Sequence, residues 1–188
     1  MEKSKVYFTK EITPESLVKI YEALDVELKG KVGVKISTGE PGGNNYLHPE
    51  LIGDLVHKLN GTIIECCTAY AGRRMDPKEH WKAIEEHGFK AMAPCDIMDE
   101  FGEMEIPVEN GFHLDKDIVG EHLANYDSIL VLSHFKGHAM GGFGGALKNI
   151  SIGIGSTHGK TYIHTAGVTT NAAELFQKLP PQDHFLES

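Results

Sequence analysis

Three short apolar runs limit what this chain can fold into: residues 32–36 (VGVKI), 62–66 (TIIEC) and 129–132 (ILVL). Each gives way to a polar loop: the first to STGEPGGNNYLHP, the second after Cys67 to TAYAGRRM, and the third to SHFKGHAMGGFGG. Apolar runs of this length, bounded by turn residues and separated by helical patterns, read as buried strands of a parallel sheet. The intervening helices carry their own signals. Thr13 precedes Pro14, and Leu17, Ile20, Tyr21 and Leu24 recur on one helical face. Pro49 opens a second helix bearing Leu51, Ile52, Leu55, Val56 and Leu59. Asp76, Pro77 and Glu79 start a third, which Gly88 stops.

The pattern predicts an α/β fold, a three-layer sandwich with a mostly parallel sheet and helices on both faces. Residues 129–132 are expected among its inner strands. Four segments carry weaker signals. Residues 5–9 (KVYFT) and 89–93 read as further short strands, residues 96–110 as an edge hairpin or excursion, and residues 116–125 as a short helix.

A length of 188 residues suits one α/β domain, residues 1–188. The last residues, QDHFLES, read like the opening turns of a helix, so a C-terminal continuation is expected. A formal charge of −9 argues against a nucleic-acid or anionic-membrane surface, while leaving room for a local basic pocket. No apolar run approaches the roughly 20 residues needed to span a bilayer. The start, MEKSKVYFTKE, has no apolar signal region, which makes a cytoplasmic location the expectation. Cys66, Cys67 and Cys95 are too few for a 4Fe-4S cluster within the chain and are expected as free thiols. Cys66 and Cys67 should point to opposite faces of their strand.

Chemistry concentrates in residues 133–154, SHFKGHAMGGFGGALKNISIGI, where a strand empties into glycine-rich sequence. Ligands in open α/β sheets bind outside the carboxyl ends of the strands. Glycines at this density imply positive φ or close approach of backbone to a ligand. Gly141, Gly142, Gly144 and Gly145 are therefore candidate cofactor-binding positions beside Lys148. GSTHGKT at residues 155–161 is no phosphate loop, because Ile154 stands where that motif needs its first glycine. The remaining signal is a spacing: His138, Lys148 and His164, with His134 just upstream. Lys148 could form a carbonyl-type adduct or hold an anion, His138 could move protons, and His134 and His164 could ligate a metal.

VLSHFKGHAMGGFGGALKNISIGIGS, GEPGGNNYLHPEL and EEHGF resemble a bacterial and archaeal family, domain of unknown function 362, along nearly the whole chain. Family members are often joined to a ferredoxin-like 4Fe-4S segment, so the resemblance implies a possible iron–sulfur partner domain. HAMGGFGGALK at residues 138–148, the pattern H-x3-G-F-G-G-x-x-K, is similar to the core of the amino-terminal domain of nickel-dependent lactate racemase. That resemblance implies a nucleotide-like cofactor on Lys148, proton transfer by His138 and metal ligation by His164, the metal being nickel, iron or zinc. The racemase's second proton-transfer histidine has no counterpart in TAYAGRR, nor its acid and arginine in STGEPGGNNY. A shared scaffold with altered chemistry follows, with redox or hydride and proton transfer on a small-molecule substrate. The competing expectation is a non-catalytic module that docks on an iron–sulfur electron-transfer protein or forms a homo-oligomer. A cleft in which Lys148, His138 and His164 converge would favour the enzyme; a broad apolar patch with scattered histidines would favour the module.

Overall fold

The computed structural model describes residues 3–139 and 141–181; the helix expected over residues 182–188 lies outside them. The chain opens with helix α1 (Pro14–Ala23), capped by a reciprocal pair. Thr13 Oγ1 accepts from the Ser16 amide, and Ser16 Oγ accepts from the Thr13 amide, both at 3.1 Å. β1 (Val32–Lys35), α2 (Pro49–Lys58), β2 (Thr62–Glu65), α3 (Pro77–Glu86), α4 (Phe89–Met92) and β3 (Cys95–Ile97) follow. An antiparallel pair, β4 (Glu103–Pro107) and β5 (Lys116–Gly120), precedes β6 (Ser128–Val131). The glycine-rich stretch folds into the hairpin β7 (Lys136–His138) and β8 (Gly142–Gly144), then α5 (Ala146–Ile150) and α6 (Thr157–His164).

The central sheet is parallel, in the order β3-β2-β1-β6, and the protein is the α/β sandwich that the alternating pattern predicts. Strand alternation sorts the side chains into two cores. Val32, Val34, Ile36, Ile63 and Cys67 meet Ile52, Val56, Ile84 and Phe89 from the helices on one face. On the other face Ile64, Cys66 and Met98 pack with Leu123, Tyr126 and Ile154. Cys66 and Cys67 therefore face opposite sides, as extended backbone requires. Gly33 belongs to the second face, where a Cβ would come within 2.6 Å of Ile64 Cδ1 and 3.1 Å of the Tyr126 ring.

The weaker expectations fare differently. Residues 5–9 lie outside every sheet, and Val6 and Phe8 are more than 80% exposed. Residues 89–92 are helical, not extended. Gly88, at φ 83°, ends α3 and lets the chain turn at once into α4, which buries Phe89 completely. The strand comes later, at β3, where Asp96 accepts from Tyr126 Oη at 2.7 Å and contacts His122 Nδ1 at 2.9 Å. Residues 96–110 do contain one arm of a hairpin. Its partner is β5, in place of a helix over 116–125: β-branched Ile118 and Val119 suit extended backbone, and both are buried. Only residues 121–125 coil, as a 3₁₀ turn.

β6 is the largest correction. It pairs with β1 alone and stands at the sheet edge, so residues 129–132 are half-buried and not among the inner strands. Their apolar character serves the packing of Ile129 beneath the second face and of Leu132 against the first.

α6 lies against β5 so closely that a Cβ on Gly159 would sit 1.8 Å from the Ile118 carbonyl oxygen. That contact is with backbone, which cannot swing aside. Gly159→Ala is expected to cost about 1–3 kcal/mol, read as a lower urea midpoint with unchanged slope.

Candidate functional site

The carboxyl ends of β1, β2 and β6 open into one cleft of ≈ 570 Å³, the position that parallel-sheet topology favours for a ligand. His134, His138, Lys148 and His164 all line it, as do Gly144 and Gly145. Gly141 and Gly142 instead make the β7–β8 turn, where Gly142 takes φ +72°. His134 sits exposed at the mouth. Among the described residues, no three His, Cys, Asp or Glu side chains come together as a metal-ligand set.

Lys148 is half-buried, and burial lowers the pKa of its amine, helped by the charges of Lys160 and Lys136. The side chains of Lys148 and Lys136 both run within 4.0 Å of where a Gly144 Cβ would lie, so this glycine lets the two cations flank it. His138 and His164 are each lowered by burial and then by Lys148, which puts both imidazoles within reach of its charge.

The two rings differ in where the proton sits. His138 Nδ1 accepts from the Gly141 amide at 3.0 Å, so the neutral ring carries its proton on Nε2. His164 Nδ1 faces the Lys160 carbonyl at 2.6 Å and must donate there, which leaves its Nε2 basic. One neutral ring therefore carries an N–H able to donate a hydrogen bond, and the other a basic nitrogen able to take a proton.

Three residues of the site escape a reading by motif. Lys35 is buried at the end of β1, donating at 2.8 Å to both the Ile36 carbonyl and Asn149 Oδ1. Burial pulls its pKa down to about 8, against the opposing pull of Glu65. Lys160 is also buried and donates to the Gly155 carbonyl. Asn149 clamps α5 to the sheet: its Nδ2 lies 3.1 Å from the Lys35 and Leu132 carbonyls and 3.0 Å from Ser133 Oγ. A Cβ on Gly153 would press on the same cluster, 3.2 Å from Lys35 Nζ and Asn149 Oδ1. Among the described residues none of Lys35, Lys136, Lys148 and Lys160 forms an ion pair. The signal that could have flagged Lys35 is a cation inside an otherwise apolar strand run, a placement rarely tolerated without a role.

The opposite wall is closed by a buried carboxylate. Glu65 Oε1 accepts from Arg74 Nη1 at 2.7 Å. Its Oε2 accepts from the Thr38 amide at 2.9 Å, Thr38 Oγ1 at 2.6 Å and His80 Nε2 at 3.2 Å. Burial alone would push this carboxyl up; the Arg74 charge and the His80 hydrogen bond outweigh it and hold it well below the usual range. Arg74 also binds Glu40, which accepts from Tyr70 Oη at 2.8 Å.

Behind Glu65, His80 Nδ1 lies 3.7 Å from Cys67 Sγ, completing a Cys-His-Glu line. It is structural and not nucleophilic. Cys67 and His80 are buried away from the cleft wall, and burial drives the thiol well above its ordinary value. Cys66 reaches the cleft, yet its Sγ donates to the Ile154 carbonyl at 3.2 Å and burial raises it to about 12. All three cysteines are free.

Fold and site together define an α/β protein with a cationic, histidine-bearing cleft at the carboxyl edge of a parallel sheet. The chain belongs to the family Domain of unknown function (DUF362), whose model matches residues 32–187. No curated protein and no solved structure matches it.

Proposed function

We propose that this protein binds a small organic anion in the cleft and transfers a proton on it, with Lys148, Lys136 and Lys160 holding the acid group. His164 accepts the proton, and the Nε2–H of neutral His138 donates a hydrogen bond to the bound molecule. The observation that carries this reading is a half-buried Lys148 beside two further lysines and two histidines of opposite tautomer. Four lysines gathered in a chain of net charge −9 need a reason, and an anionic ligand supplies it.

The nucleotide-like cofactor implied by the racemase resemblance fits the same residues: an amine of lowered pKa to carry it and neighbouring lysines to meet a phosphate. Such a group would supply hydride acceptance when bound. A metal at His164 and His134 would have to draw further ligands from the substrate, so the anion half of the reading has the stronger support.

Phosphate or a 2-hydroxy acid should raise the melting temperature of the wild type above that in chloride of equal ionic strength. At 100 times Kd the gain is about 2.7 kcal/mol. Lys148→Ala should show no such rise. A rise equal in the variant would overturn the assignment.

Affinity should also depend on pH in a defined direction. Lys35 is charged below its value of about 8 and neutral above it, so anion binding weakens as pH rises through that point. It strengthens on acidification, as His138 and His164 gain charge below their ordinary range. Lys35→Met should flatten the alkaline step in a calorimetric pH series; an unchanged step would assign it elsewhere.

The docking-module reading keeps one observation of its own. The rings of Phe135, just before β7, and Phe143, on β8, lie 5.6 Å apart and tilted by 33°, and both they and Leu147 are more than half exposed. An iron–sulfur partner domain or a second copy of the chain could sit there. A concentration series in sedimentation velocity, with Phe143→Ser as control, separates self-association from partner docking.

A further inference from the structure

The cleft has a mixed lining. Beside Lys35, Lys136, Lys148 and Lys160 it is lined by the apolar side chains of Ile152, Leu175, Phe176 and Leu179. Ile152 and Leu175 are buried, but Phe176 is 71% and Leu179 42% exposed, so two large apolar side chains stand uncovered at the lip of a cationic site. A volume of ≈ 570 Å³ lies within the range of sites that enclose a drug-sized molecule, and is several times what an inorganic anion or a three-carbon acid fills.

We infer that the ligand is an organic acid with an apolar arm, an aryl or medium-length alkyl group, whose acid end meets Lys148 and whose arm lies on Leu175, Phe176 and Leu179. This rests on the anion reading above and narrows it. An acid without an arm would leave the lip wet and the cleft part-filled. An apolar ligand without an acid would leave Lys136, Lys148 and Lys160 without an ion-pair partner among the described residues. Only a molecule with both ends matches both kinds of lining.

The probes are matched pairs: lactate against 3-phenyllactate, and phosphate against phenyl phosphate, titrated calorimetrically into the full chain. Covering on the order of 100 Å² of apolar ligand surface should tighten binding roughly 50-fold for the phenyl member of each pair. The double variant Phe176→Ala, Leu179→Ala should erase most of that advantage and leave the small acid unaffected, since neither side chain is buried in the core. Equal affinities within each pair, or an advantage that survives the double variant, would overturn the inference while leaving the anion reading intact. Binding of the phenyl acids undiminished in Lys148→Ala would also overturn it. No saturable binding by any of the four would remove the anion reading itself.

Discussion

Glu65→Gln is expected to destabilise the protein by about 3–5 kcal/mol, the largest effect of any isosteric change here. Glutamine fills the same volume, so the loss is no cavity effect. It leaves the Arg74 guanidinium, whose side chain is 6% exposed, without the carboxylate that neutralises it. It also disturbs the amide, hydroxyl and imidazole donors that converge on Oε2. Glu40→Gln removes the other carboxylate on Arg74, but Glu40 is half exposed and the expected cost is below about 1 kcal/mol. Because the folded pKa of Glu65 is depressed, its contribution is present above the unfolded value and is lost as pH falls through the folded one. Urea unfolding at neutral and acidic pH reads both. The gap between wild type and Glu65→Gln should close as pH falls. A gap that stays constant would show that the pairing is not what stabilises this wall.

Lys148→Ala is expected to weaken anion binding about 100-fold while changing stability by less than about 1 kcal/mol. The asymmetry follows from its place. Lys148 sits on a five-residue helix that is held to the sheet by its neighbour Asn149, so the scaffold does not depend on the lysine. Asn149→Ala should do the reverse, losing stability first and binding as a consequence, because the acceptors around Nδ2 at the ends of β1 and β6 lose its two N–H donors and Lys35 Nζ loses Oδ1 as an acceptor. Calorimetry and urea unfolding on the same preparations separate the two. A large stability loss in Lys148→Ala would move that residue from ligand binding to structure.

The sequence shows why some of this was legible and some was not. Pro14, Pro49 and Asp76-Pro77 announce helix starts through local chemistry, and α1, α2 and α3 begin at those prolines. Residues 89–93 and 116–120 are short and apolar, a length at which helix and strand patterns coincide, and tertiary packing decided both. Hydropathy also carries no record of neighbour order, so ILVL at 129–132 reads as an inner strand although it lies at the edge. At the site, the glycine-rich stretch marks Lys148 and His138 because they are close in sequence. Lys35 and Asn149 touch across 114 positions, a contact that only the parallel register of β1 and β6 creates.

Convergence of Lys148, His138 and His164 on one ligand is the central claim, and imidazole nitrogen spectra recorded during a phosphate titration test it most directly. The account predicts a proton on Nε2 of His138 and on Nδ1 of His164 before phosphate is added. Both rings should then shift along one saturable curve, which Lys148→Ala abolishes. Two rings that share a tautomer, or that stay still while phosphate binds, would contradict it.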